Sequence, residues 1–316
     1  MQNIENKTYP EFDDDINLGD LLSLYWFYRK VIILVTLVFS FASLLWALYL
    51  PNIYQSVSLL TAEMNYDQQS SSGGSGFNAF SEIAGVSIGG SGGDEANLAT
   101  ATINSRDFLK HLIEVDESFL PNLIAVDKFD KKNNKLIYDS SIYNSKTKKW
   151  VIKKPSYIDA FPAYKKILSV SSDRKTGYVT ISVNHKSPAV ASDFIYLIFQ
   201  EANSLIRARD LDEASASLQY LYSQLESVNQ TDVLNAVNSL IANQLRKLTL
   251  ANIKENYLLD PIDSPFIPSI KHSPKRLQML ILGTLLGFVL ALISITIFYY
   301  GFQSSKLVND NNANPY

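Results

Sequence analysis

VIILVTLVFSFASLLWALYL, residues 31–50, decides the fold: it runs for twenty residues without one charge, close to the roughly 20 that carry a helix across about 30 Å of hydrocarbon. A second uncharged run, LQMLILGTLLGFVLALISITIFYYGF, fills residues 277–302. A buried core helix is the alternative for either run, but uncharged stretches of this length are rare in soluble domains. Trp46, Tyr49, Tyr299 and Tyr300 stand near the ends of the runs, where aromatic belts form at membrane interfaces. A cleaved signal peptide fits the first run poorly, given its acidic 30-residue lead-in, its length and the lack of a small-x-small site before Pro51. The pattern therefore predicts an α+β protein in which two transmembrane helices, 31–50 and 277–302, flank one large domain at 51–276, with short segments at 1–30 and 303–316 on the other side.

Two spans put both termini on one side. Arg29 and Lys30, just before the first run, favour the cytoplasm for that side, whereas Lys271, Lys275 and Arg276 oppose it from the far side of the second run. The orientation taken is both termini cytoplasmic and the domain translocated, since long translocated loops are largely exempt from the count. Gly283 and Gly287 have the GxxxG spacing that lets membrane helices approach closely.

Outside the two runs the chain has no charge excess that would attract a polyanion: 24 basic residues meet 24 acidic ones between positions 51 and 276, so nucleic acid is not an expected partner. Cysteine is absent, which excludes disulfides, thiolate nucleophiles and Cys-bound zinc. His111, His185 and His272 lie far apart without ligand spacing and read as ordinary surface or packing residues. No Gly is followed by Lys, so no phosphate-cradling P-loop exists. No metal, cofactor or catalytic constellation is expected, and the chain reads as a non-enzyme.

Within the domain, IYQSVSLLTAEM (53–64) reads as a strand leaving the membrane. SSSGGSGFNAFSEIAGVSIGGSGGD (70–94) reads as a flexible loop around a short apolar insert. Leu98, Ile103, Phe108, Leu109, Leu112 and Ile113 predict one amphipathic helix over 96–115. The lysine-rich stretch 127–154 reads as a solvated loop, and 168–172 with 178–184 as a hairpin about DRKTG.

These elements form the base, 51–187. A long helical arm follows over 188–258, opened by Ser187 and Pro188. Along it Leu211, Ala214, Leu218, Leu221, Leu225 and Val228 recur at three- and four-residue steps, a seam suited to coiled-coil packing and to oligomerisation, while Arg207, Arg209, Asp210, Asp212 and Glu213 lace the upper face with charge. Asn229 to Asp232 predicts a bend, after which Leu234, Val237, Ile241, Leu245 and Leu248 return toward the membrane as a helical hairpin. Pro261, Pro265, Pro268 and Pro274 in DPIDSPFIPSIKHSPKR then predict a stiff extended strut over 259–276. With Gly283 and Gly287 these prolines are candidates for assembly or for docking a membrane partner.

The order of these segments resembles the Wzz-type polysaccharide chain-length determinants, or polysaccharide co-polymerases, of Gram-negative inner membranes. The resemblance is carried by INLGDLLSLYWFYRK (16–30) and Tyr54, and by FSEIAGVSIGGSGGD (80–94) running into INSRDFL (103–109). It continues through SVSSDRKTGYVTISVNHKSPAVA (169–191) and EANSLIRARDLDEASASLQYLYSQL (201–225), with Asn203, Arg207, Asp210, Glu213 and Tyr220, to the proline segment ending in Ser273, Pro274 and Lys275.

The resemblance implies a periplasmic α/β base, a rising helix and a ring-like, octamer-like homo-oligomer. It further implies a non-enzymatic scaffold that sets how many repeat units a membrane polymerase adds to a lipid-linked glycan, O-antigen of lipopolysaccharide first among them, with the nascent glycan as a possible contact. Export-associated members add a cytoplasmic tyrosine kinase with a tyrosine-rich tail, and here about 14 residues follow the second run, with Tyr316 the single tyrosine among them. Because the Gly-rich loop also resembles that of export-associated members, the alternative is a kinase-less co-polymerase subunit of an exopolysaccharide or capsule system. A two-span sensor would need an output module that neither tail supplies.

Overall fold

The computed structural model describes residues 18–62, 92–173, 175–225 and 230–312. The Gly/Ser-rich loop 70–94 therefore lies outside the described residues up to position 91, as does the segment between 225 and 230 that includes Val228. The chain forms two compact units: residues 1–51 with 273–316, and residues 52–272.

The first unit contains α1 (Leu18–Phe27), α2 (Arg29–Tyr49) and the last helix of the chain, Arg276–Asn312. The second uncharged run thus lies in a helix that continues well past Phe302. Contacts between the two long helices run in opposite order along the chain. Arg276 Nε donates to Ala47 O at 3.1 Å, Ser43 Oγ donates to Met279 O at 2.8 Å, and Ile32 shares a buried cluster with Ala291 and Ile295. The pair is antiparallel. Leu34, Leu37, Phe41 and Leu45 on α2, and Leu282, Leu285, Leu286, Ile293 and Ile297 opposite, remain exposed. Apolar surface of this extent on a helix pair is unfavourable in water and satisfied by lipid.

The second unit is a four-stranded antiparallel sheet, covered on one face by helices, from which a helical arm extends. β1 (Tyr54–Ala62) alternates buried and half-buried residues along its whole length. Hairpins β2 (Val126–Asp130) with β3 (Lys135–Tyr138) and β4 (Tyr143–Asn144) with β5 (Lys149–Trp150) come between α3 (Gly92–Ile103), α4 (Arg106–Val115), α5 (Phe119–Ile124) and α6 (Tyr157–Ile167). β6 (Leu168–Ser172), β7 (Tyr178–His185) and β8 (Leu259–Asp263) complete the sheet in the order β6-β7-β1-β8. β1 and β7 pair from Tyr54↔His185 to Thr61↔Tyr178, which puts Leu60, Val179, Ile181 and Val183 on the core face. Against that face pack Ile195, Ile198, Ala202 and Ile206 of α7 (Pro188–Leu225). Phe119 stacks on Phe194 at 4.3 Å between ring centroids. α8 (Thr231–Ile253) packs back along α7 and completes the helical hairpin. The terminal helix Arg276–Asn312 is α9.

Three expectations from sequence need correction. The amphipathic stretch 96–115 is two helices, because Ser105 takes an extended backbone (φ −82, ψ 158) and its side chain accepts from Phe108 N, which starts α4. The lysine-rich stretch is not one loop: β2–β3 and β4–β5 are short hairpins whose lysines point outward while Leu136 and Trp150 pack on the core. The proline segment is extended, as a strut would be, but its start is built into the sheet. β8 pairs with β1 at a bulge beside Leu59 and Leu60, and Pro261, lacking an N–H, sits on the sheet's edge strand where none is needed. The buried hydroxyls of Ser56 and Ser58 donate to Phe266 O and Asp263 O at 2.7 and 2.6 Å, so the segment lies along β1 rather than standing off it.

His185, which closes β7, is buried with both ring nitrogens engaged. Ser187 N donates to Nδ1 at 3.0 Å, so Nε2 carries the proton and donates to Asn122 O at 3.0 Å. Burial holds its pKa below the ordinary 6.5. The unfolded chain therefore binds a proton that the folded chain refuses as pH falls below that value. Stability of the full chain in detergent should be insensitive to this group above pH 6.5 and decline as pH falls from there toward the depressed pKa. Thermal midpoints between pH 7.5 and 5 check this, and His185→Gln should flatten that part of the profile. An unchanged slope in His185→Gln would refute the assignment.

Candidate functional site

The feature that distinguishes the second unit is its arm, so the site to be built is the junction where the arm leaves the base. At 38 residues α7 is about 57 Å long at 1.5 Å per residue, more than the sheet can cover. Its buried stripe leaves the core at Ile206 and continues through Asp210, Ala214 and Leu218 in steps of four, one face of a helix.

On this stripe Asn203, Arg207 and Asp210 form a polar clasp around the chain returning from α8. Asn203 Oδ1 accepts from Leu258 N and Leu259 N at 2.9 and 2.7 Å, while its Nδ2 donates to Leu259 O at 2.8 Å. It thereby acts as one more strand residue for the start of β8. Arg207 Nη2 donates to Lys254 O and Glu255 O, both at 2.6 Å, placing a cation on the carbonyls at the C-terminal end of α8, where the helix dipole favours it.

Asp210 is 3% exposed. Tyr257 OH donates to its Oδ2 at 2.9 Å, and Lys247 Nζ lies 3.3 Å from its Oδ1. Lys247 also reaches Glu213 at 3.6 Å, and Arg209 lies 3.6 Å from Asp210. A buried carboxylate is tolerated only when paired and hydrogen-bonded in this way. Of the charged residues on this stretch of helix, Asp210 occupies the buried stripe, where a carboxylate is the signal for a partner distant in sequence.

Of the predicted seam, Ala214 and Leu218 are buried within the single chain, and Leu211, Leu221 and Leu225 are half-buried. With Ile241 of α8 also buried, much of the seam's apolar surface is taken up inside the hairpin of α7 and α8. Of the prolines, Pro268 and Pro274 are buried and Pro261 and Pro265 half-buried. Phe266, Ile267 and Ile270 among them stay exposed.

Gly283 and Gly287 face α2 in the first unit. A Cβ on Gly283 would lie 2.4 Å from the Cβ of Ser43, and one on Gly287 would lie 2.5 Å from the Cβ of Phe39. The GxxxG spacing thus joins the two spans of one chain. The structure brings Asn203, Arg207 and Asp210 together around the return of the chain; Gly283 and Gly287 belong to the first unit and the seam to the second. Sequence reading passed over Lys247 and Tyr257 as clasp members, and no local signal marks them. Among the described residues no three His, Asp or Glu side chains gather as a metal site, and His111 Nε2 pairs with Glu201 Oε2 at 2.7 Å.

Residues 14–115 match the family model described as Wzz, chain length determinant protein. Among solved structures the chain is similar to one titled a full-length bacterial polysaccharide co-polymerase, at 14% identity and a TM-score of 0.34, covering 94% of this chain and 100% of that one. It is also similar to a fragment of WzzB, polysaccharide co-polymerase from Salmonella Typhimurium, at 14% identity and a TM-score of 0.27, covering 70% of this chain and 100% of that one. No curated protein matches significantly.

Proposed function

We propose that this chain, whose residues 14–115 match the Wzz chain length determinant family model, regulates the length of O-antigen polysaccharide as an oligomeric, non-enzymatic scaffold for a membrane polymerase. The family match carries the reading, and the antiparallel pair of apolar helices supplies the membrane anchoring that such a regulator needs. The chain sits in the inner membrane of a Gram-negative cell with both termini cytoplasmic, as Arg29 and Lys30 favour, and residues 52–272 in the periplasm.

Copies assemble side by side into a ring. Because Ala214 and Leu218 are used within the chain, the surface left for neighbours is the outer side of α7, where Leu205, Tyr220 and Tyr222 are exposed, together with the half-buried Leu211, Leu221 and Leu225. The polymerase docks near the exposed Phe266, Ile267 and Ile270, held in place by Pro265 and Pro268. The rigid clasp at Asn203, Arg207 and Asp210 sets the angle of the arm, which gives every copy in the ring the same shape.

Deleting the gene and resolving the cell's lipopolysaccharide on a gel tests this reading. The expected result is a ladder whose modal length is lost or shifted, restored by the gene on a plasmid. An unchanged ladder with lost capsule or exopolysaccharide would replace O-antigen by an exported polymer, and no change in any surface polymer would overturn the function.

A further inference from the structure

Resting on the reading above, we infer that the β4–β5 hairpin and the turn at residues 116–118 form a cleft that binds an oligosaccharide stretch of the growing polymer.

Two depressions, of about 560 and about 420 Å³, adjoin on the surface of the base and share Asp116 and Ser118 as a common rim. Each falls within the range of about 300–1,000 Å³ typical of small-ligand sites. The larger has an aromatic side: Tyr143 lies between Tyr138 and Trp150 with ring centroids 5.4 and 5.3 Å away, and all three rings are half-buried. Its rim is polar and of mixed charge, with Asp116, Glu117, Lys148 and Lys154. In the smaller one the exposed ring of Tyr196 stands with Asn122, Asp193 and Gln200.

The floor is fixed before any ligand arrives. Tyr138 OH donates to Asn122 Oδ1 at 2.7 Å, and Asn144 Oδ1 accepts from Lys146 N and Thr147 N at 3.0 and 3.2 Å, which sets the hairpin that carries Tyr143 and Trp150. Asp116 accepts from both Ser118 N and Ser118 Oγ, which holds the dividing turn.

This chemistry selects a sugar over other ligands. A pyranose has an apolar C–H face that lies on an aromatic ring and a rim of hydroxyls that both donate and accept, so it matches an aromatic side edged by carboxylates, ammonium groups and amides together. A phosphorylated ligand would meet Asp116 and Glu117, and an apolar peptide would strand the charges at the rim. Two adjoining depressions that share a rim suit a run of several sugar residues rather than one.

The test uses the full chain in detergent micelles and, as probe, oligosaccharides released by mild acid hydrolysis from the host's own surface polysaccharide. Saturation-transfer NMR should show saturable binding that Trp150→Ala and Tyr143→Ala each weaken tenfold or more, with Trp150→Phe weakened less. Gln200→Ala should weaken longer fragments and spare the shortest. No saturable binding, equal binding of dextran, or unchanged affinity in Trp150→Ala and Tyr143→Ala would overturn the inference. If either alanine variant lowers the thermal midpoint, the exposed Lys148→Glu takes its place and must weaken binding likewise. A deletion strain with an altered ladder and a protein that binds no oligosaccharide would remove the cleft alone. A strain with all surface polymers unchanged would remove the functional reading itself.

Discussion

Asn203→Leu should lower the stability of the arm's junction by on the order of 3 kcal/mol or more, since each buried polar group left without a partner costs about 1–3 kcal/mol. The leucine fills nearly the same space but abandons Leu258 N, Leu259 N and Leu259 O together. A loss of that size is a large fraction of the ~5–15 kcal/mol that holds a typical domain. Because these three groups begin β8, the expected result is local: the segment from Lys254 to Asp263 opens first and becomes a protease cleavage site while the rest of the sheet stays protected. Asn203→Asp keeps the acceptor for both N–H groups but turns a second oxygen of a buried carboxylate toward Leu259 O, so it should destabilise the junction as well. Limited proteolysis of the full chain in detergent, with cleavage sites mapped by mass, reads this directly. Cleavage in Asn203→Leu no faster than in wild type would show that the clasp does not hold the return strand.

The second large effect is expected at Gly287. A leucine there must place its Cβ against the Cβ of Phe39 at 2.5 Å and near the Cα of Thr36 at 3.4 Å. Both atoms belong to or adjoin the backbone of α2, so no rotamer change relieves the clash and the helices must separate or rotate. In lipid the attraction between spans comes from close packing and a few interhelical hydrogen bonds rather than from the hydrophobic effect. Separation therefore forfeits most of it, including the bond from Ser43 Oγ to Met279 O. The chain has no cysteine, so Ile32→Cys with Ile295→Cys makes a clean reporter within the buried cluster those residues share. Oxidation should join the two spans efficiently in the otherwise native chain, and several-fold less when Gly287→Leu is added. Equal cross-linking in both backgrounds would contradict the close approach.

What the sequence makes legible follows from how local each cause is. The two apolar helices are visible because length without charge is a property of consecutive residues. The β6–β7 hairpin and β1 are visible because alternation is also local, and Pro188 marks the start of α7 for the same reason. The break between α3 and α4 is hidden, because apolar spacing continues across Asn104 and Ser105 while the cap that separates the helices depends on one hydroxyl.

The capping box of Ser156 and Asp159 that opens α6 was present in the sequence, but Pro162 inside the helix obscures its continuation. Its pairing leaves the Asp159 carboxyl below the usual carboxylate range, through the hydrogen bonds from the Ser156 side chain and backbone. The pairing of β8 with β1 joins residues about 200 positions apart, and a segment with four prolines does not advertise a strand. The clasp is the clearest case. Asn203, Arg207 and Asp210 stand out as polar residues at helical spacing, yet their partners are the turn after α8 and a lysine on it, and periodicity carries no information about which distant segment returns to them.

The functional reading depends on residues 52–272 standing outside the cytoplasm between two spans. Proteinase K added to intact spheroplasts of cells expressing the chain, followed by blotting for a cytoplasmic tag on each terminus, tests that directly. The account predicts that the full-length band is lost while both tagged terminal fragments survive until the membrane is lysed. A full-length band that persists until lysis, or tags digested in intact spheroplasts, would contradict it.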